Sequence, residues 1–233
     1  MSEANGRVAL VTGAASGIGA AISAMLAERG WRVAGLDLNA SATELSLEAD
    51  VADRAAVRAG AERASQELGT VSLLVTAAGR YEMVPIADID VERWRTMLAV
   101  HLGGVVNACW AVVPGMLRAG SGTIVTISSE LALAGGAGDA HYCAAKGAIL
   151  GFTRSLGLEL AAHGIRVNGV APGPTDTPLL APDSPWRAPE YLKTLPLGRL
   201  VRPDEVAETV ALLVEEGGYF AGQTLSPNAG AVI

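Results

Sequence analysis

The sequence predicts an α/β fold, a doubly wound parallel sheet in three αβα layers and a single domain. Short, almost continuously apolar segments alternate with helical ones, which is typical of buried parallel strands. Half of the residues are hydrophobic but only 4% are aromatic, which favours close helix–sheet packing. No linker or internal repeat divides the 233 residues, so we expect one domain over 1–233.

The strands are predicted where aliphatic residues run together and end at small residues. "RVALVT" is closed by Gly13, and "WRVAGLD" ends at Asp37. "ELSLEADV" is weaker, and "VSLLVTAAG", "GTIVTISS" and "GIRVNGVAPG" follow. The expected strands are 7–12, 31–37, 44–51, 71–79, 122–129 and 164–173.

The helices are predicted from apolar positions at helical spacing. In the first, Ile18, Ile22 and Leu26 share a face, and Gly30 ends the helix. Pro203 lies near the first turn of the last. The expected helices are 17–30, 53–68, about 91–118, 142–161 and 202–216, with a proline-rich loop over 174–198 and a closing segment "GQTLSPNAG" at 222–230.

Composition argues against several classes of protein. The net charge is -7 with no run of Lys or Arg, which disfavours nucleic-acid binding. No stretch reaches the roughly 18 apolar residues of a membrane span, and "MSEANGR" does not resemble a secretory signal. Cys109 and Cys143 form no CxxC pair, so we expect reduced thiols in a cytoplasmic protein. The sequence contains no convincing set of metal ligands.

A glycine-rich turn, "TGAASGIG", joins the first strand to the first helix. Glycine allows unusual dihedrals and lets backbone approach a ligand closely, and a helix start favours phosphate. The turn at Gly13, Gly17 and Gly19 therefore predicts a pyrophosphate site. The spacing differs from GxGxxG, and a tight turn without a ligand is the alternative.

Asp37 ends the second strand, eighteen residues after Gly19. An acid at that distance accepts hydrogen bonds from the adenosine ribose and repels a 2′-phosphate. No cation stands near it that would bind such a phosphate. We therefore expect NAD as cofactor in preference to NADP. The alternative is that Asp37 only caps the turn.

Tyr142 and Lys146 are four residues apart on a predicted helix, so their side chains share a face. A phenol titrates near pH 10, and a neighbouring ammonium favours the phenolate. Ser129 ends a strand thirteen residues upstream of Tyr142. Its hydroxyl would hold a carbonyl or alcohol oxygen beside the phenol, which predicts acid–base chemistry at an alcohol.

Together these motifs resemble the short-chain dehydrogenase/reductase family over essentially the whole chain. The matching pieces are "TGAASGIG", "DV" at 50–51, "AAG" at 77–79, "ISS" at 127–129, "YCAAK" at 142–146, "RVNGVAPGPTDT" at 166–177 and "GQTLSPNAG". The resemblance implies a Rossmann-type fold, a nicotinamide cofactor and reversible oxidation of an alcohol. It makes Tyr142 the general acid/base, Ser129 the group that orients the substrate, and Lys146 the group that holds the ribose and lowers the phenol pKa.

The resemblance also implies the remaining cofactor contacts, residue by residue. The pyrophosphate loop would use Gly13, Ala15, Ser16, Gly17, Ile18 and Gly19, and Asp50 and Val51 would lie by the adenine. Ala78 and Gly79 would pass behind the cofactor, and Tyr142 and Lys146 would also contact it. The nicotinamide would be bordered by Pro172, Gly173, Thr175 and Thr177.

Two departures from the family pattern stand out. His101 occupies the position where the family usually has an Asn that holds a water of the proton relay. One hypothesis is that His101 itself carries protons and titrates near neutral pH; the alternative is a spectator histidine. We expect that Asn107 does not replace it. "TAAG" at 76–79 stands for the usual Asn-Asn-Ala-Gly, which puts fine positioning in question more than fold.

The loop 178–198 falls where the family covers its substrate, and its apolar residues favour a mostly apolar small-molecule alcohol or ketone. The alternative is that they pack against another subunit. Three functions stay open: an NAD-linked dehydrogenase of a secondary alcohol, a 3-oxoacyl thioester reductase, and a non-catalytic dinucleotide-responsive regulator. The resemblance implies a homotetramer or homodimer.

Overall fold

The computed structural model describes residues 7–232, and within them seven parallel strands form one sheet. Their order is β3-β2-β1-β4-β5-β6-β7, so the direction of winding reverses between β1 and β4. This confirms the predicted doubly wound Rossmann-type sheet. The strands are β1 (Val8–Thr12), β2 (Arg32–Asp37), β3 (Leu45–Glu48), β4 (Val71–Thr76), β5 (Gly122–Ile127), β6 (Ile165–Val170) and β7 (Thr224–Leu225).

Helices cover both faces of this sheet. They are α1 (Gly17–Glu28), α2 (Arg54–Glu67), α3 (Val91–Leu98), α4 (Gly104–Ala119), α5 (Leu131–Ala134), α6 (Ala140–Ala161), α7 (Pro189–Leu192) and α8 (Pro203–Ala211). Apolar residues of α2, α4 and α6 form one core with the sheet, and those of α1 and α8 form a second core on the opposite face. The three αβα layers are therefore present as predicted.

The predicted long helix near 91–118 is interrupted in the structure. A π-helical turn, Ala99–Gly103, separates α3 from α4. A second π-helical turn, Leu212–Glu216, continues α8. The π turn places His101 in the interior, where it is 1% exposed. Apolar periodicity does not distinguish such a turn from regular α-helix, and the insertion is at a site residue, as is frequent for π-helical turns.

The helical run Val91–Ala119 is long and apolar enough, by length and composition alone, to cross a membrane. The expectation that no stretch is long and apolar enough is therefore wrong by this measure. In the structure its α4 part instead buries Val105, Cys109, Val112 and Met116 in the core against α2 and the sheet. A core helix passes the same compositional test, so the run is weak evidence for a membrane span.

The carboxyl ends of the strands bring the small-residue segments together at one edge of the sheet, where the winding reverses. The Ala78 backbone N–H donates to Thr12 Oγ1 over 3.2 Å, which joins the ends of β1 and β4. Gly13 follows β1 with φ of +72°, and its N–H donates to the Leu36 carbonyl over 2.8 Å. These contacts fix the loops that line the candidate site.

Candidate active site

The glycine turn is held by close backbone packing. A Cβ at Gly13 would lie 2.6 Å from the Ala78 backbone nitrogen, and one at Gly19 would overlap the Gly13 carbonyl oxygen. A Cβ at Gly17 would come within 3.2 Å of Thr177, which belongs to the far side of the site. The turn therefore needs glycine at all three predicted positions because other backbone or side chains already occupy the space.

The start of α1 leaves its backbone donors available to a ligand. Ser16 is the N-cap, and within the described residues its side chain makes no capping hydrogen bond. No acidic residue occupies the first turn. The open N–H groups and the positive end of the helix suit an anionic group such as pyrophosphate.

A cavity of about 420 Å³ lies over this turn, and we name it the glycine-loop cavity. Asp37 borders it and accepts hydrogen bonds from the Ala15 N–H over 3.1 Å and from the Asn39 N–H over 3.0 Å. Asp37 therefore organises the turn and also presents its carboxylate to the cavity. This geometry is compatible both with a ribose-binding role and with the alternative that Asp37 only caps the turn. The predicted residues lining this cavity are Gly13, Ser16, Gly17, Ile18, Gly19, Asp37, Asp50, Val51, Ala78, Gly79 and Thr177.

The part of this cavity lined by Asp50 and Val51 has a supporting residue that the sequence did not reveal. Asn107 on α4 donates from Nδ2 to the Val51 carbonyl over 3.0 Å. Asp50 Oδ1 accepts from the Ala52 N–H over 2.8 Å, so both predicted residues sit in a fixed turn. The partners of the Asn107 amide are the carbonyls of Val51 and Ala52, which agrees with the expectation that Asn107 does not replace the family Asn.

A second cavity of about 130 Å³ adjoins the first, and we name it the tyrosine cavity. Five residues line both cavities: Ile18, Ala77, Gly79, Thr177 and Leu179. The tyrosine cavity contains the predicted residues Ser129, Tyr142, Lys146, His101, Pro172, Gly173 and Thr175. An elongated ligand in the glycine-loop cavity would therefore extend one end toward Tyr142.

Tyr142 and Lys146 line the same wall of the tyrosine cavity, and both are buried. Burial raises the pKa of Tyr142, while a hydrogen bond with Ser129 opposes this. Lys146 Nζ lies 5.8 Å from the Tyr142 ring centroid and donates to the Ile127 carbonyl over 2.9 Å. Burial is the largest influence on the pKa of Tyr142, and the lowering of that pKa by Lys146 stays a prediction from the resemblance.

Lys146 is itself perturbed by its surroundings. Burial lowers the pKa of Lys146 to about 8, and the nearby Glu130 carboxylate opposes that change. Since an ammonium group in an apolar wall requires acceptors, the carbonyl of Ile127 at the end of β5 anchors it. The end of the strand therefore determines where this cation points.

His101 lies behind Gly79, where a Cβ would meet the His101 ring at 2.7 Å. His101 Nε2 is 2.8 Å from the Arg80 carbonyl, and the ring packs edge-on against Tyr142 with centroids 5.4 Å apart. Burial, followed by the charge of Lys146, lowers the pKa of His101 to about 3. The hypothesis that His101 titrates near neutral pH is therefore wrong, because its surroundings keep the ring uncharged.

"TAAG" at 76–79 keeps the strand ends joined without the family's Asn side chains. Thr12, at the end of β1, accepts from the Ala78 N–H at its side chain and from the Ala77 N–H at its carbonyl. The missing amides are thus partly replaced by one threonine on the neighbouring strand.

The segment 172–177, predicted to border the nicotinamide, is supported by residues 227–228. A Cβ at Gly173 would come within 2.7 Å of Asn228 Cα, and the Gly173 N–H donates to the Pro227 carbonyl over 3.0 Å. Thr175 Oγ1 donates to the Gly173 carbonyl over 2.8 Å. "GQTLSPNAG" thus acts as the backing of this segment.

The predicted loop 174–198 contains a short 3₁₀ turn, Pro185–Arg187, and the α7 helix. Its Trp186 Nε1 donates to the Tyr81 hydroxyl over 2.8 Å, and Tyr81 packs edge-on against Tyr142 with centroids 5.1 Å apart. Leu179, Leu180 and Trp186 line the tyrosine cavity. The loop is therefore connected to Tyr142 through Tyr81, a residue that sequence reasoning missed.

The tyrosine cavity includes one further residue that the sequence did not single out. Glu130 follows Ser129 directly, lines the cavity and is 6% exposed.

In the described residues, no group of three or more His, Cys, Asp or Glu side chains is placed to hold a metal ion.

The parallel sheet opens at its winding reversal onto two adjoining cavities, and a Ser–Tyr–Lys set lines the second of them. This arrangement is typical of a dinucleotide-dependent oxidoreductase. The sequence profile described as short chain dehydrogenase matches residues 7–188. The chain belongs to this family, whose members bind a nicotinamide dinucleotide.

Curated relatives and a solved structure agree with that membership. The chain is 40% identical over 96% of its length to cis-4-hydroxycyclohexanecarboxylate dehydrogenase of Sinomonas cyclohexanicum, covering 96% of that protein. It is 38% identical to D-threitol dehydrogenase of Mycolicibacterium smegmatis, over 91% of this chain and 87% of the relative. Ligand-free aldohexose dehydrogenase of Thermoplasma acidophilum superimposes with a TM-score of 0.90 at 30% identity, over 98% and 95% of the two chains.

Proposed function

We propose that this chain is an NAD-dependent oxidoreductase that interconverts a secondary alcohol and a ketone, with Tyr142 as general acid/base. The observation that carries the proposal is the junction of the two cavities. Residues of the glycine-loop cavity continue into the tyrosine cavity, where Ser129, Tyr142 and Lys146 stand together. When bound, a nicotinamide dinucleotide supplies the acceptor or donor of hydride.

In this mechanism each side chain has a separate task. Tyr142 takes the hydroxyl proton during oxidation and returns it to the substrate oxygen during reduction. Ser129 binds that oxygen and positions it beside the phenol. Lys146 would hold the nicotinamide ribose, and its positive charge favours the phenolate once both groups face the same ligand. Leu179, Leu180 and Trp186 exclude water from the reacting atoms.

The preference for NAD over NADP rests on Asp37. Its carboxylate borders the glycine-loop cavity at the place where the adenosine ribose would lie. No Lys or Arg lies among the residues 37–39 that line the cavity there. A 2′-phosphate would therefore meet a negative charge with no cation among residues 37–39, although Arg80 lines another part of the cavity wall.

We further propose a mostly apolar substrate. Apolar side chains form most of the wall beyond Tyr142, and the cavity is small. The relative that oxidises a hydroxycyclohexanecarboxylate, by its name, acts on a secondary alcohol of an aliphatic ring. This similarity supports a ring or short-chain secondary alcohol more than an open polyol.

A second candidate is a 3-oxoacyl thioester reductase. Several relatives are named 3-oxoacyl-(acyl-carrier-protein) reductases, including that of Thermotoga maritima at 35% identity over 98% of this chain. Asp37 counts against it, because biosynthetic reduction usually draws on NADPH. The third possibility, a non-catalytic regulator, conflicts with the retained Ser129, Tyr142 and Lys146.

We also propose a homodimer or homotetramer in the cytoplasm. Exposed apolar residues on α4 and α6 support self-association: Val106, Trp110, Leu117 and the 82% exposed Leu158. The net charge of -7 supports the absence of nucleic-acid partners.

The test follows the absorbance of the reduced nicotinamide with secondary alcohols, ketones and 3-oxoacyl thioesters, offering NAD and NADP in turn. We expect turnover with NAD that falls by about 10³-fold in Tyr142→Phe. Tyr142→Phe retains the ring that packs against Tyr81 and His101, so we expect the variant to fold. Adding NADH should raise its Tm, as it does for a chain that still binds the dinucleotide.

Equal rates for the wild type and Tyr142→Phe would contradict the assigned acid/base. Faster turnover of acyl thioesters with NADPH would favour the second candidate. If NAD raises the Tm but no substrate is turned over, the regulator becomes the better explanation.

A further inference from the structure

The one carboxyl group that lines the tyrosine cavity within the described residues belongs to Glu130. Its Oε2 atom lies 2.7 Å from Ser129 Oγ, and Ser129 is the donor in this hydrogen bond. The two residues are 6% and 5% exposed, so no bulk water competes for the bond. A buried carboxyl group is therefore coupled directly to the hydroxyl that orients the substrate.

The backbone around this pair is fixed on both sides. Ser128 Oγ donates to the Lys146 carbonyl over 2.8 Å, and the Glu130 N–H donates to the Pro172 carbonyl over 3.0 Å. The Leu131 N–H donates to Ser129 Oγ over 3.2 Å. These contacts fix the backbone of residues 128–131 against α6 and the segment at 172, and the Glu130 side chain is held by its hydrogen bond with Ser129.

Ser129 has only one hydroxyl proton to donate. While that proton is directed at the Glu130 carboxylate, Ser129 cannot donate it to a substrate oxygen. Hydride transfer in either direction passes through a state with negative charge on the substrate oxygen, and a donor there stabilises it. The observed hydrogen bond therefore opposes the role of Ser129.

We propose that Glu130 is a positioning residue that sets the direction of the Ser129 hydrogen bond. An ionised Glu130 accepts the Ser129 proton and leaves the substrate oxygen without that donor. A protonated Glu130 donates its own proton to Ser129 Oγ, and Ser129 then donates to the substrate oxygen. Both states use the same 2.7 Å contact, and the proton of Glu130 stays on Glu130 throughout turnover.

The surroundings of Glu130 shift its pKa in opposing directions. Burial is the largest influence and raises the pKa of Glu130, while Ser129 and two backbone N–H groups lower it. The charge of Asp139 also raises it. The titratable or charged groups that interact with Glu130 from neighbouring elements are Tyr81, Asp139, Tyr142, Cys143, Lys146 and Tyr191.

The inference rests on the proposed function, since it assumes that Ser129 binds the reacting oxygen. The first test is the pH profile of kcat/KM for ketone reduction with NADH, from about pH 5 to about pH 10. As the pH rises, kcat/KM of the wild type should fall once when Tyr142 loses the proton it donates, and a second time when Glu130 ionises. In Glu130→Gln the side-chain amide always offers an N–H donor to Ser129, so the second fall should be absent.

Above the titration of Glu130, we expect Glu130→Gln to be faster than the wild type by about tenfold or more. Glu130→Met has a side chain of similar length and no acceptor oxygen, so its profile should also lack the fall caused by Glu130 ionisation. It serves as a second variant if Glu130→Gln folds poorly. Glu190→Gln, an exposed carboxylate on α7, is the matched control and should keep the wild-type profile. Superimposed profiles of wild type and Glu130→Gln, or a slower variant at every pH, would overturn the proposal.

A double-mutant cycle separates positioning from a general structural effect. If Glu130 acts through Ser129, Glu130→Gln should change kcat/KM in the wild type but leave the residual activity of Ser129→Ala unaltered. The same fold-change in both backgrounds would show that Glu130 acts independently of Ser129.

A readout without turnover distinguishes this inference from failure of the proposed function. Infrared difference spectra of the protein titrated with acid should show the carbonyl stretch of one protonated carboxyl group that Glu130→Gln removes. Ser129→Ala should move its midpoint to higher pH, because the carboxylate loses a donor. An unmoved midpoint would overturn the coupling even if ketones are reduced. A moved midpoint without any turnover would support the coupling and refute the proposed activity.

Discussion

The glycine-loop cavity and the tyrosine cavity share one opening but are built from different kinds of groups. The first is shaped by backbone: Gly13 packs on Ala78, and the N-terminus of α1 is left open. The second is shaped by side chains that contact one another, such as Tyr142 with Tyr81 and Ser129 with Glu130. From this difference we expect the glycine-loop cavity to be disrupted by larger side chains. We expect the tyrosine cavity to respond to changes in protonation and hydrogen bonding.

The largest effect on stability is expected for Gly13→Ala. Its Cβ would lie 2.6 Å from the Ala78 nitrogen in a backbone with φ of +72°, so the ends of β1 and β4 must separate. We expect a loss of about 3 kcal/mol in the free energy of unfolding and loss of NAD binding.

Gly30→Ala is the matched control for Gly13→Ala. Gly30 has φ of +80°, but a Cβ there would have nothing within 4 Å. Its expected cost is about 1 kcal/mol, from the left-handed backbone alone. Chemical denaturation of both variants measures the difference, and equal losses would show that the close approach to Ala78 contributes nothing.

In the tyrosine cavity, the burial of His101 predicts that the stability of the protein depends on pH. Its folded pKa is about 3, against 6.5 in the unfolded chain, so only the unfolded chain takes up this proton as the pH falls below about 6.5. Stability due to the neutral ring is therefore full above about pH 6.5 and is lost progressively toward pH 3. Between about pH 6.5 and about pH 4, the wild type should lose about 3 kcal/mol more than His101→Asn.

Urea denaturation at several pH values measures this difference. His163→Asn removes an exposed histidine and should follow the wild type. Parallel stability curves for wild type and His101→Asn would mean that His101 is protonated in the folded protein. That result would also revive the proton-carrying role that burial argues against.

A smaller effect is expected for the cofactor preference. Asp37→Asn removes the charge that repels a 2′-phosphate while keeping an acceptor for the Ala15 N–H. The ratio of Kd values for NADP and NAD should fall about tenfold, mainly by tighter NADP binding. Asp50→Asn, which removes a carboxylate elsewhere in the same cavity, should change both Kd values equally. An unchanged ratio in Asp37→Asn would remove the basis for choosing NAD.

The smallest effect concerns the loop that covers the tyrosine cavity. Trp186→Phe keeps an aromatic ring but loses the 2.8 Å hydrogen bond to the Tyr81 hydroxyl. We expect KM for the substrate to rise about fivefold with little change in kcat, because a lost neutral hydrogen bond costs about 1 kcal/mol. Tyr81→Phe should have the same effect, and the double variant no more. Additive effects would show that the two residues act separately.

The contrast between the two cavities also explains what the sequence could predict. The first six strands, the glycine turn and Asp37 follow from local pattern, because each depends on residues close in the chain. The short strand β7 and the short helices α5 and α7 were not predicted. Ser129, Tyr142 and Lys146 were found from spacing and from the family pattern, and the structure brings them to one cavity.

The remainder depended on contacts between distant segments. The π-helical turn at Ala99–Gly103 buries His101 behind Gly79, and no periodicity indicates that burial. The pairing of Trp186 with Tyr81 joins residues 105 positions apart. Glu130 carried one available signal, a charge placed directly after Ser129 at the end of an apolar strand, but its burial was visible only in the fold.

The central claim is that the two cavities hold one cofactor whose reactive end meets Tyr142. A crystal structure of the chain with NADH bound tests it most directly. The account predicts the adenosine ribose on Asp37, the pyrophosphate at the start of α1, and the hydride-bearing carbon facing a substrate position about 3.5 Å away that also contacts Ser129 and Tyr142. A nicotinamide ring directed away from Tyr142, or a glycine-loop cavity that does not bind the dinucleotide, would contradict it.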